Sequence, residues 1–449
     1  MGSAAAASDL VLQDGSRVGI VGGGPAGSFF AYFLLLLAER VGLNLEVDIY
    51  EYRDFGSPAP LGCNMCGGII SESLVQMLVT EGIELPDNVV QRGIDSYVLH
   101  MDVGSVRIDT PVQEMRIGAV HRGAGPRDLK QVKWGSFDGY LLSLAVGRGA
   151  RVVRGRVERV KRENARPVIE QRGGDGCEYA LVAVAAGVNS GARLCDGLDG
   201  GYEPPRTAKA YIREYFLGEA AVSAVLGSSM HVFLPDIPQV EFAAIVPKGD
   251  YATLCMLGDD IDKDVVRRFM ETPWIRSCLP EGVSDAASCQ CGPRLNVSGA
   301  RRLFADRLVF IGDSGVTRLY KDGIGAAYRT AKAAAATAVF EGVSEAAFRR
   351  HYAPACRRIE RDNGLGRIIF EATHVLQRSR LARRAVLDMT RREQEREGPR
   401  RRMSMVLWNV FTGSEPYRQI LARTVHPAFL ARLGRHLVSA VSGARSRPS

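Results

Sequence analysis

Glycines 22, 24 and 27 stand in a G-x-G-x-x-G spacing within Val18-Gly19-Ile20-Val21-Gly22-Gly23-Gly24-Pro25-Ala26-Gly27. Such spacing brings backbone amides up to a phosphate. The first glycine permits a tight turn, the second lets a pyrophosphate approach the backbone, and the third lets a helix pack on the preceding strand. Gly22, Gly24, Ala26 and Gly27 are therefore candidate contacts for a dinucleotide. Glu51 follows about two dozen residues later, where an acid suits the two hydroxyls of an adenosine ribose and repels a 2′-phosphate. This favours FAD or NAD over NADP. The plain alternative is a glycine turn without a ligand, and the full strand–turn–helix–strand–acid order argues against it.

A second group decides between FAD and NAD. Arg307 to Gly315 (RLVFIGDSG) reads as a buried strand ending at Gly312-Asp313. An aspartate there can accept a hydrogen bond from a ribityl hydroxyl, and nicotinamide dinucleotides have no ribityl chain. Gly323 and Gly325 open an alanine-rich helix through Phe340, whose free amides would face the negative edge of a reduced flavin. Two such segments, separated by about 290 residues, argue for one extended FAD on one discontinuous domain.

The remaining reactive side chains are less specific. Cys63 and Cys66 form C-x-x-C, and Cys289 and Cys291 form C-x-C. Zinc or a redox disulfide is one reading of these pairs, but the spacing is unspecific and no metal is assigned. The plain reading of each thiol is packing as a small hydrophobe. The basic pair His121-Arg122 opens a glycine-rich turn through Pro126, suited to an acidic substrate group or a diphosphate, or else an ordinary exposed loop. His231 and His374 have no partners at useful spacing. No hydrolase or phosphoryl-transfer constellation is present.

These residues need elements to hold them. Leu45–Tyr50 reads as a strand and Phe29–Arg40 as a helix stopped by Gly42. Ser136 caps a helix over Asp138–Gly147. Ala150–Val160, Tyr179–Ala185 and 115–120 read as strands, and 163–176 as a polar hairpin region. Ala208–Phe216, His231–Leu234, Val240–Val246 and Ala252–Leu257 read as an antiparallel layer, with a turn at Pro247-Lys248-Gly249-Asp250. The fold class is α/β: a Rossmann-like FAD-binding domain from 17–95, 116–200 and 298–345, an antiparallel β substrate domain from 96–115 and 201–297, and a helical basic region over 346–449.

At 449 residues, 46% apolar and 24% charged, the chain has the balance of a globular protein with a large core. Nine scattered cysteines suggest reduced thiols and a cytoplasmic setting. No apolar run reaches the ~20 residues of a membrane span, and no secretory signal is read at the start. The net charge of +8 is concentrated: residues 351–449 hold 20 arginines, no lysine and 8 acids. With Trp408, Phe411, Tyr417, Phe429 and Leu430 as apolar anchors, this region suits peripheral contact with an anionic membrane, against a helical cap with a solvated arginine face. Nothing resembles a nucleic-acid reader.

From about Arg17 to Phe340 the chain resembles flavoproteins of the para-hydroxybenzoate hydroxylase fold, and most closely the geranylgeranyl reductase family. The glycine run with Glu51, Cys63 to Ile69, Ser136 to Leu141, Gly312-Asp313 and Asp322 to Gly325 carry the likeness. The resemblance puts Cys66-Gly67-Gly68 beside the flavin, with Cys66 a candidate proton donor to a substrate carbon or else plain packing, Gly67 a cofactor contact and Lys321 at the flavin edge as stabiliser of negative charge. Three positions depart from the family pattern. Ala186 replaces an aspartate in the segment Ala185 to Ser190. Phe242 to Pro247 lacks the tyrosine and tryptophan of the substrate motif. Trp134, after Lys133, stands where an arginine is common.

The implied function is an FAD-dependent reductase or desaturase acting on carbon–carbon bonds of a small apolar, isoprenoid- or lipid-like substrate, fed by NAD(P)H or another external donor. The alternatives are an NAD(P)H-dependent flavin monooxygenase and a non-catalytic or electron-transfer flavoprotein.

Overall fold

The computed structural model describes residues 10–63, 65–111, 117–127, 129, 132–188, 194, 201–279, 289–395 and 401–445. The chain forms two compact units, each from three segments. Met1–Asn64, His121–Thr207 and Arg294–Arg361 make the first; Met65–Val120, Ala208–Pro293 and Asp362–Ser449 make the second. Residues 65–95, read from sequence with the nucleotide domain, thus fall in the second unit, and 346–361, read with the C-terminal region, fall in the first.

The first unit is built on a six-stranded sheet in the order Phe304–Ala305, Leu308–Phe310, Leu181–Val184, Ser16–Val21, Leu45–Tyr50, Arg151–Val153. All neighbours are parallel except the first pair. Its central strands are nearly continuous apolar runs, as expected for strands covered on both faces. Helices Pro25–Arg40 and Gly323–Phe340 pack together, with Phe29 and Phe33 edge-on to Tyr328 at 5.5 and 5.3 Å. Buried Ala331, Ala334, Ala335 and Ala338 permit that close approach. Ser136 caps helix Phe137–Gly147 through the Gly139 amide at 3.0 Å.

The expected strand at 150–160 is two strands. Arg151–Val153 edges the parallel sheet, and Val157–Glu163 opens an antiparallel sheet with Arg166–Gln171 and Cys177–Glu178. Gly155 sits at the break, where a Cβ would lie 2.4 Å from Gln171 Oε1. The polar hairpin region is a hairpin: Arg166–Gln171 turns back on Val157–Glu163 through Asn164-Ala165, both at positive φ.

The second unit is built on a seven-stranded sheet: Gln290–Cys291, Tyr211–Phe216, Tyr251–Gly258, Val240–Lys248, Ser229–Phe233, Ser96–Met101, Gly104–Asp109. It is antiparallel except where Ser229–Phe233 runs parallel to Ser96–Met101. One face forms an apolar core with Val222, Val265 and Phe269 of the short helices. Pro247 and Lys248 are not turn residues: they continue the strand, opposite Ala252 and Tyr251.

Among the described residues of 353–445 there are five helices, and from Asp362 onward they belong to the second unit. Trp408 is buried, edge-on to Tyr97 at 5.1 Å, and its indole N–H donates to Glu72 at 3.3 Å. Phe411, Tyr417 and Phe429 are buried too. Four of the five proposed membrane anchors are thus core residues, and only Leu430 is exposed. Among the described residues no helix is long and apolar enough to cross a membrane.

Candidate functional site

In the first unit, strand Ser16–Val21 ends at Gly22 with φ +103°, where a Cβ would lie 2.4 Å from the Ala185 carbonyl. A Cβ at Gly27 would lie 1.9 Å from the Gly22 carbonyl. Both positions admit only glycine in this turn. Gly24 is the N-cap of helix Pro25–Arg40, Pro25 takes the first helical position, and no side chain caps the start. The Ser28 hydroxyl donates to the Gly23 carbonyl at 2.8 Å and ties the turn to the helix. Glu51 is only 3% exposed. One carboxylate oxygen accepts the Gly23 amide and the other the Arg53 amide, each at 2.9 Å. Burial pushes the Glu51 pKa up, against the pull of these two amides. A carboxylate has about four acceptor positions, so the pair of amides leaves capacity for ribose hydroxyls.

The second nucleotide segment meets the first in this unit. Gly312 has φ +59°, and a Cβ there would lie 2.5 Å from the Ala26 Cβ. Its amide donates to Thr330 Oγ1 at 3.0 Å. Asp313 is half-buried; loss of solvent raises its pKa, while the Thr317 hydroxyl and the Arg122 charge oppose the rise. Asn296 Nδ2 donates to the Asp313 carbonyl at 2.8 Å. Asp322, left-handed at φ +55°, is the N-cap of helix Gly323–Phe340, and again no side chain caps the start. Its carboxylate lies over Gly325, where a Cβ would be 2.2 Å away. Arg329 holds that carboxylate at 2.8 Å and Arg318 at 3.6 Å. Sequence reading named neither arginine; it named Lys321, which is half-buried in the turn before Asp322.

The 121–126 turn is not an exposed loop. Gly123, Ala124, Gly125 and Pro126 are buried, and Arg122 is bidentate on Asp138, with Nη2 at 2.9 Å from Oδ2 and Nε on Oδ1. Arg122 therefore anchors the start of helix Phe137–Gly147. Taken together, two helix starts without side-chain caps, glycines whose Cβ atoms would close the turn, and a buried acceptor at Glu51 fit the pyrophosphate and ribose of FAD.

Cys66 and Gly67 lie in the second unit. The Gly68 amide is 3.5 Å from Cys66 Sγ. A Cβ on Gly67 would lie 2.6 Å from Cys255 Sγ; one on Gly68, at φ +71°, would lie 2.0 Å from the Val120 carbonyl and 3.0 Å from Lys248 Nζ. The Cys-Gly-Gly turn thus rests on strands Val240–Lys248 and Tyr251–Gly258. Beneath it Lys248, 1% exposed, pairs with Glu214 Oε1 at 3.5 Å, and Glu214 Oε2 accepts the Thr253 hydroxyl at 2.5 Å. Burial pushes the Cys255 thiol up to about 12. Lys248 escaped the sequence reading. The alternation Phe242, Ala244, Val246, Lys248 was the signal that placed it on one sheet face.

Two histidine sites were missed as well. His100 Nε2 lies 3.0 Å from His231 Nδ1, and His374 Nε2 lies 3.0 Å from Glu241 Oε1. Cys63 and Cys66 belong to different units. Among the described residues no group of three or more His, Cys, Asp or Glu side chains is arranged to hold a metal. Asn189 and Ser190, part of the family-like segment, lie outside the described residues.

No protein-family model and no curated protein sequence matches the chain. Solved structures do. A geranylgeranyl bacteriochlorophyll reductase-like protein of Thermoplasma acidophilum is 17% identical with a TM-score of 0.67, covering 94% of this chain and 100% of that one. A point variant of HpxO from Klebsiella pneumoniae, complexed with FAD, is 15% identical with a TM-score of 0.58, covering 88% and 98%. The halogenase PltM with phloroglucinol and FAD is 13% identical with a TM-score of 0.56, covering 96% and 93%. With the cradle and sheet described above, this likeness shows that the chain has the para-hydroxybenzoate hydroxylase-type fold of FAD-binding oxidoreductases.

Proposed function

We propose that this chain is an FAD-dependent oxidoreductase that reduces or desaturates carbon–carbon bonds of an apolar, isoprenoid- or lipid-like substrate, with NAD(P)H or another external donor supplying electrons. The observation that carries the cofactor is Glu51, buried and fixed on the Gly23 amide beside a turn that only glycine can make. The reductase-like neighbour supports the substrate class. When bound, FAD supplies hydride transfer at its N5. Gly22, Gly24, Ala26 and Gly27 admit the pyrophosphate, Glu51 accepts from the ribose, and Gly312 and Asp313 meet the ribityl chain. Amides at Gly323 and Gly325, with Lys321, oppose negative charge at the ring. Gly67 leaves room for the Cys255 thiol beside the turn, and Cys66 holds the proton to be given to a substrate carbon.

Purified protein is expected to be yellow with one FAD. Anaerobic reduction with NADH, NADPH or dithionite, followed by an isoprenoid alkene, tests the rest. Reoxidation by the alkene supports the reading. Hydroxylated product only when oxygen is added would make the protein a monooxygenase, and no turnover with either would leave an electron carrier. Cys66→Ser is expected to slow alkene reduction at least tenfold with FAD retained, because a hydroxyl is a far weaker acid. Cys289→Ser is expected to leave turnover unchanged. Full activity in Cys66→Ser would reduce that thiol to packing.

A further inference from the structure

The arginines of the C-terminal helices are spread unevenly between paired and unpaired. Arg391 is on Asp388 at 3.2 Å and Arg423 on Glu415 at 2.6 Å. Glu393 is taken by the amides of Met403 and Ser404 at 3.2 and 2.9 Å. Arg378, Arg380, Arg392, Arg418 and Arg435 are exposed and make no ion pair among the described residues. The last helix, Pro427–Arg445, carries arginines and no acid. It packs on helix Arg380–Gln394, and its Phe429 is buried. Its opposite face is apolar and open: Leu430 is 52% exposed, Val438 68% and Val441 41%. Positions 430, 434, 438 and 441 recur every three to four residues and so form one stripe. Arg435 is exposed on the same helix, three residues before Val438, and Arg392 is exposed on the helix packed beside it.

We propose that helix Pro427–Arg445 docks the protein on an anionic lipid bilayer, with Leu430, Val438 and Val441 entering the acyl boundary and Arg392 and Arg435 meeting lipid phosphates. An exposed aliphatic stripe rimmed by unpaired cations is the pattern of an interfacial helix. A single-stranded nucleic acid would use aromatic stacking platforms, and Phe370, Trp408, Phe411, Tyr417 and Phe429 are all buried. The aromatic anchors suggested by the sequence thus play no part; three aliphatic side chains replace them. The inference stands apart from the redox reading, since it uses no residue of the nucleotide cradle or the Cys-Gly-Gly turn.

Vesicle flotation of the full chain tests it. The protein is expected to float with vesicles of phosphatidylcholine and phosphatidylglycerol and to remain behind with phosphatidylcholine alone. Leu430→Asp with Val438→Asp is expected to abolish flotation while thermal unfolding and FAD content stay unchanged. Arg392→Gln and Arg435→Gln are each expected to weaken partitioning about fivefold at low salt, converging on wild type as salt rises. Equal flotation of the double aspartate variant would overturn the proposal, as would failure of the wild type to float. Ultracentrifugation showing a dimer that the same variant dissociates, without vesicle binding, would assign the stripe to a second copy instead. Tighter binding to a single-stranded oligonucleotide than to the anionic vesicles would also overturn it.

Discussion

Glu51 has two duties for one carboxylate: it closes the glycine turn through the Gly23 amide and remains the acceptor for ribose. Glu51→Gln separates them. The amide keeps the shape but turns a donor toward backbone N–H groups, and a lost buried bond is worth about 1–3 kcal/mol. FAD titration is expected to show roughly 10- to 100-fold weaker binding, and the apoprotein is expected to unfold at a slightly lower temperature because one backbone amide loses its acceptor. An unchanged Kd would make the carboxylate a strut only. Lys248 makes the opposite case, a charge with a structural partner. Lys248→Met strands Glu214 in a buried site and is expected to cost about 3–5 kcal/mol in urea unfolding. Adding Glu214→Gln should recover part of that loss, because the stranded charge is gone. If the double variant is as unstable as the sum of the singles, the two side chains do not form one unit. Glu51 was legible because its partners are a local run of the chain; Lys248 was not, because Pro247-Lys248-Gly249-Asp250 reads as turn chemistry until the pairing with Tyr251 extends the strand.

Strand pairing brings together what spacing cannot. Parallel pairing of Ser229–Phe233 with Ser96–Met101 stacks His100 on His231, with ring centroids 5.0 Å apart, and on Phe233 at 4.7 Å. Burial first, then the His231 ring, pulls His100 down to about 3; burial first, then the Arg107 charge, pulls His231 down to about 4. The native pair therefore stays neutral while an unfolded chain takes up protons below about pH 6.5. Its stabilisation is complete above that pH and is lost as pH falls through the native values. Against a His100→Phe, His231→Phe variant, the wild type is expected to lose on the order of 2–5 kcal/mol more between pH 7.5 and 4.5, read from urea midpoints. Parallel pH profiles would show that the pair titrates elsewhere. The same reasoning explains which elements were readable. The strand–turn–helix of 16–40 and the strand Leu45–Tyr50 follow one another and carry their own punctuation. The break at Gly155 is invisible to alternation, since both halves alternate and only their sheets differ.

Along the chain the segments of the two units alternate, in the order first, second, first, second, first, second. A ligand of the first unit should stabilise its native arrangement by linkage: at a free FAD concentration 100-fold above Kd, by about 2.7 kcal/mol. Apoprotein is expected to melt several degrees lower than the FAD form, and Glu51→Arg should show no FAD-dependent shift. A shift that survives Glu51→Arg would place the cofactor elsewhere. This alternation bears on how the protein is made. Strand Ser16–Val21 and the apolar helix Pro25–Arg40 leave the ribosome well before the later segments, yet the sheet they enter awaits Leu308–Phe310 and the helix awaits Gly323–Phe340. At about 5–20 residues per second, that wait is roughly 15–60 s. For that interval Phe29, Phe30 and Phe33, all buried in the finished protein, have no native partner from the distal segments. The nascent chain should be a strong chaperone client, and messages truncated before codon 340 should yield aggregates in place of a smaller soluble flavoprotein.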